Sequence, residues 1–135
     1  MPVVLFKTDF IEIKYYASKK LVETTWVGLP PSQEYRNALK GAIAILKTHD
    51  VRRWIGDYRK AVEMDLPDQD WAMEEWAPVF MADTVKLEKM AKVMSEENFS
   101  NRAATISNKL ATKHKGTFAF AEFDDYDQAM KWING

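Results

Sequence analysis

The run Arg53 to Asp57, RWIGD, lies between a stretch with helical periodicity that ends near Asp50 and another that opens near Pro67. A short strand with a helix on each side in sequence cannot be closed by a tight hairpin. It sits inside a sheet and runs parallel to at least one neighbour. That requirement makes the chain an α/β protein, and the other elements follow from it.

Upstream, Val3 to Phe6 is a brief apolar run. From Phe10 to Ala17 the residues alternate, with Ile11, Ile13 and Tyr15 on one face and Glu12, Lys14 and Tyr16 on the other. After the polar turn Ser18 to Lys20, Leu21 to Val27 resumes with β-branched and aromatic residues, so these two runs predict a hairpin. Gly28 and the pair Pro30 and Pro31 end it. Ser32 then stands where an N-cap is expected, ahead of a helix whose stripe is Tyr35, Leu39, Ala42, Ile43 and Leu46. Gly41 inside that helix suggests close packing against a strand.

Beyond the central run, Tyr58, Arg59 and Lys60 look like a break in the strand. Pro67 with Asp68 and Asp70 opens a second helix, its acids placed where the helix dipole favours them, and Pro78 is expected to kink or shorten it. Leu87 to Met94 is another strand with Met90 and Met94 on one face, which Lys92 shares as an odd member. The stripe Phe99, Ala103, Ile106 and Leu110 predicts a third helix. Thr117 to Phe123 is the last strand, and Asp125 with Gln128 caps a final helix. The order is βββαβαβαβα, a single-domain mixed β-sheet flanked by helices over residues 1–135.

The sequence has no cysteine, which removes disulfides and thiolate chemistry and fits a reducing compartment. The N-terminal apolar run is too short for a signal peptide or a membrane span, so a cytoplasmic location without integral membrane association is expected. Nineteen basic against twenty acidic residues give a net charge of -1, without the basic excess that a nucleic-acid backbone selects. Five tryptophans supply large apolar area for core or interface.

The helix SQEYRNAL after the Gly-Leu-Pro-Pro turn, the strand RRWIGDYR, the string DQDWAMEEWAPVF and the closing FDDYDQAMKWI resemble the STAS-domain superfamily. The resemblance covers essentially the whole chain and is nearest to small stand-alone bacterial proteins similar to sporulation anti-sigma-factor antagonists. It implies a mixed sheet flanked by helices and a regulatory role in docking a kinase-like partner, controlled by a phosphorylatable serine after the central strand. The corresponding residues, Asp57 to Met64, include neither serine nor threonine. Comparison of this branch with lipid-transfer domains leaves room for a small apolar ligand.

Candidate functional residues gather around the central run. Asp57, Tyr58 and Arg59 stand at its expected carboxyl end, where ligands bind in open α/β sheets. Asp57 could equally accept hydrogen bonds within its own turn while Arg59 is solvated. Ser95 and Asn98, after the next strand, would face the same crevice or cap a helix. Trp71 and Trp76, five apart on an α-helix, cannot both point at the sheet centre, so one is expected in the core and the other at the rim. The acidic run Asp65 to Glu75 lacks the spacing of a calcium loop and is expected to be a solvated helix start. His49 and His114 close helices without a metal or base motif. No phosphate loop and no GxSxG serine occur. These features predict a non-enzymatic module without a cofactor, acting on a protein partner or on itself, with a carrier of a small apolar ligand as the alternative.

Overall fold

The computed structural model describes residues 2–62, 64–84, 86–95 and 118–135. One six-stranded sheet runs β1 (Val3–Lys7), β2 (Ile11–Tyr16), β3 (Leu21–Gly28), β4 (Arg53–Ala61), β5 (Lys89–Val93) and β6 (Ala119–Phe123), in that spatial order. The first three strands are antiparallel, and β3 to β6 are mutually parallel. The central run therefore lies inside the sheet and is parallel to both neighbours. The sheet is mixed and flanked by helices, as the alternation and stripes predict. The third helix expected from Phe99 lies outside the described residues, as does His114.

One strand end and one helix start differ from the sequence reading. Strand β4 does not stop at Asp57 but continues to Ala61, pairing Lys60 with Val27 and Ala61 with Gly28 beyond a register shift. Arg59 and Lys60 are polar because this end of the strand is exposed, and a polar stretch at an exposed strand end reads like a turn. Ser32 does not cap its own helix, α1 (Ser32–Thr48), whose N-cap position is Pro31. Its hydroxyl instead donates to Asp68 Oδ1 at 2.7 Å.

The period-two alternation of the strands sends side chains to two different layers. Val22, Trp26 and Trp54 meet α1 and the helical stretch after β4 through Leu39, Ala42, Ile45 and Phe80. The alternate residues Leu21, Ile55, Ala91 and Val93 meet Ala129 and Ile133 of the C-terminal helix (Tyr126–Asn134). Asp125 caps that helix by accepting from the Gln128 N–H at 3.0 Å.

The helical stretch after β4 has three parts: α2 (Leu66–Trp71), a π turn (Ala72–Trp76) and α3 (Ala77–Ala82). Proline at position 78 has no N–H and its ring collides with the carbonyl four residues back in a regular α-helix. The wide turn relieves this, and the Ala77 N–H reaches back five residues to the Ala72 carbonyl. The distortion expected from Pro78 is therefore absorbed as a local widening of the helix.

Candidate functional site

The helical layer is fixed to α1 by two contacts. Asp68, expected to be a solvated helix-start acid, is instead buried; it accepts from Ser32 and from Arg36 Nε at 2.9 Å. The Ser32 hydroxyl and the Arg36 guanidinium hold its carboxyl below the usual carboxylate range. In the π turn, Trp76 Nε1 donates to the Leu39 carbonyl, and its ring stacks on Phe80 with centroids 4.6 Å apart.

Between this layer and the sheet lies a cavity of about 230 Å³. Its walls include Trp26, Tyr35, Trp54, Tyr58, Trp76 and Met90. Trp26 stacks on Tyr58 at 6.2 Å and 12°, and Tyr35 closes on Trp26 at 5.6 Å. Gly56 makes this arrangement possible, because a Cβ there would stand 2.8 Å from Tyr58 Cε2 and 3.3 Å from Thr24 Oγ1. The phenol ring occupies the space that any other residue at position 56 would need.

One row of the sheet, Ile13, Thr24, Gly56 and Lys92, crosses the cavity floor in register and continues to Glu122 on β6 beyond it. Lys92 Nζ stands 4.5 Å from the centroid of the Tyr58 ring, a cation–π distance. Among the described residues no carboxylate lies within ion-pair distance of it. Burial pulls its pKa down to about 8 against the attraction of Glu122. Glu122 Oε2 is itself buried without a hydrogen-bond partner, and burial raises the pKa of that carboxyl. Tyr58 is pushed up to about 12 by the same loss of water. An apolar chamber with one cationic group on its wall can hold a compact apolar body with a polar end.

The opposite face treats its buried charges differently. Asp57 accepts from Arg59 Nε at 2.9 Å, from Nη2 at 2.8 Å and from the Arg59 backbone N–H at 3.1 Å. The Arg59 guanidinium lies 5.0 Å from the centroid of the Tyr126 ring. Tyr126 donates its hydroxyl proton to Glu23 Oε2 at 2.6 Å, while Tyr16 donates to Oε1 at 3.0 Å. Each of these two buried carboxylates is thus held by at least two donors.

The sheet thus separates the residues singled out from the sequence. Tyr58 and Trp76 come together in the cavity. Asp57 and Arg59 pair on the other face because neighbours on a strand point oppositely. Trp71 lies towards α1, its ring 4.9 Å from the Arg36 guanidinium carbon. The expectation of one core and one rim tryptophan assumed 100° per residue; with a π turn between them, both rings pack half-buried against the same cluster. Ser95 follows β5, and Asn98 lies outside the described residues. Among the described residues no group of three acids or histidines is arranged to hold a metal ion, and no helix is long and apolar enough to cross a membrane. Lys92 was visible as an oddity, but its role needed Gly56, Trp26 and Trp54 placed around it.

With the layers and cavity defined, the architecture can be compared with solved structures. A protein of the DUF3478 family from Shewanella loihica, described as having a SpoIIAA-like fold, matches with a TM-score of 0.51 and 14% identity, over 98% of this chain and 92% of its own. The fold is SpoIIAA-like. Apo-SiaC from Pseudomonas aeruginosa matches with a TM-score of 0.54 and 11% identity, over 91% of this chain and 98% of its own. The structure of the diguanylate cyclase SiaD in complex with its activator SiaC, from the same organism, gives 0.52 and 12%, over 90% and 98%. No protein-family model matches the sequence, and no relative is found among curated proteins. The SpoIIAA-like architecture agrees with the STAS resemblance of the sequence.

Proposed function

We propose that this protein is a non-enzymatic regulatory module that acts by docking a protein partner. The observation that carries this reading is the likeness in fold to SiaC, which is described as the activator of SiaD and is found in complex with it. The anti-sigma-antagonist resemblance points the same way, although Asp57 to Met64 has no hydroxyl residue for a serine switch.

The docking surface we assign is the outer end of β3 and β4 with the start of α2. There Leu29, Val62 and Leu66 are exposed, Leu66 to 70%, close in sequence to half-buried Trp71. Such an apolar fringe favours association with another protein. Native mass spectrometry of the gently purified protein tests the reading. A bound protein should be present with the wild type and lost when Leu66→Asp and Trp71→Ala are combined, with the melting temperature little changed. A partner held equally by the variant removes this surface from consideration.

The cavity favours a second reading, that the chain binds a small ligand. Its volume is below the roughly 300 Å³ at which drug-sized pockets begin, but its walls are aromatic and it lies beside Trp76. A stoichiometric small-molecule mass in the same spectra is the expected sign.

A further inference from the structure

We propose that the cavity is a binding site for a small monocarboxylate with a compact apolar body, its carboxylate meeting Lys92 Nζ and its body lying among Trp26, Trp54, Tyr58 and Trp76. The inference rests on the second reading above, that the cavity takes a ligand, and names the ligand's class.

Size sets the first limit. A cavity of about 150 Å³ lined by aliphatic and aromatic side chains accommodates benzene. The present ~230 Å³ therefore suits one ring with a short substituent, or an aliphatic body of similar bulk.

Charge sets the second limit. Lys92 is half-buried, and an ammonium drawn out of water without an anion is costly, the usual remedy being a paired carboxylate. Lys92 has instead the face of Tyr58 at 4.5 Å, which supplies partial compensation only. Glu122 is opposite in register on β6 but forms no ion pair with Lys92, so among the described residues the ammonium is not committed to a carboxylate. The rest of the wall offers stacking surface and few competing polar groups, which leaves Lys92 to orient the ligand. A carboxylate placed there would give the cation its missing partner, and the rings would cover the body.

Three probes of one shape separate the possibilities: phenylacetate, its neutral isostere phenylacetamide, and phenethylamine. Each is titrated by calorimetry and by tryptophan fluorescence, since Trp26, Trp54 and Trp76 line the chamber. Phenylacetate is expected to bind about tenfold more tightly than phenylacetamide at about pH 7, a margin of roughly 1.4 kcal/mol. Lys92→Met should abolish that margin while leaving phenylacetamide binding in place, with an unchanged far-UV circular dichroism spectrum. In the wild type the margin should shrink as pH rises through about 8, where the ammonium loses its proton, and this readout stands without the variant. Equal affinity for acid and amide overturns the carboxylate assignment while the cavity remains a ligand site. Preference for phenethylamine overturns it in favour of Glu122. Binding of none of the three overturns both the assignment and the ligand-site reading.

Discussion

Across one sheet, two layers solve the same problem in opposite ways. Under the C-terminal helix, the buried acids Glu23 and Asp57 are each held by two or more donors, and Ala91, Ala129 and Ile133 are fully buried. Under α1 and the tryptophan-bearing helices, large rings line a cavity, and Lys92 and Glu122 do not form a pair. Satisfied charge with close packing makes a scaffold; unsatisfied charge beside a void makes a place for something else. The difference separates a face whose buried charges are paired from the face to which a ligand is assigned in the proposal above, within 135 residues.

The largest effect should come from enlarging each face in turn. Ile133→Ala, at a fully buried position, is expected to cost about 3 kcal/mol in urea unfolding, whereas Met90→Ala beside the existing cavity should cost about half as much. Equal costs would erase the contrast in packing. Next, Glu23→Ala should destabilise by about 2 kcal/mol, because two tyrosine hydroxyls lose a charged acceptor. An unchanged unfolding midpoint would show the network to be incidental.

For Lys92→Met the sign should reverse, with a gain of about 1 kcal/mol near neutral pH from removing a half-buried cation that has no carboxylate partner among the described residues. Burial lowers the folded-state pKa of this lysine, so between about 8 and the ordinary value of 10.5 the unfolded chain binds more protons. Wild-type stability should therefore rise with pH through that window relative to the variant, measured by denaturant midpoints at stepped pH. The smallest effect is a control on α1 at a position with open space beside it. At Gly41 a Cβ would meet nothing within 4 Å, so the close packing suggested by the sequence is not its reason, and Gly41→Ala should stabilise by ~0.5–1 kcal/mol.

Alternation and helical stripes made most of the sheet readable in advance, because Ile11, Ile13 and Tyr15, or Met90 and Met94, repeat at the period of their element. Beyond Asp57 that signal failed: Arg59 and Lys60 lie on a strand end that is paired in the backbone but exposed at the side chains. Asp68 looked like any acid at a helix start, and only the meeting of α2 with Ser32 and Arg36 buries it. The cavity was the least legible feature. A void has no residue of its own and exists only through the fit of Trp26, Trp54, Tyr58 and Trp76 around Gly56. Lys92 carried the one local warning, a charge on an apolar face.

Counted along the chain, the π turn at Ala72–Trp76 is a helix with one residue too many. Removing a single residue from Met73 to Glu75 would restore the ordinary period and turn everything beyond it by about 100° relative to what precedes it. The indole of Trp76 would then leave the Leu39 carbonyl, Phe80 would leave Trp54, and the chamber would lose its roof while the strands beneath kept their pairing. The enclosed volume is thus written as an insertion: a one-residue difference in length between otherwise similar chains would mark which of them possess the chamber.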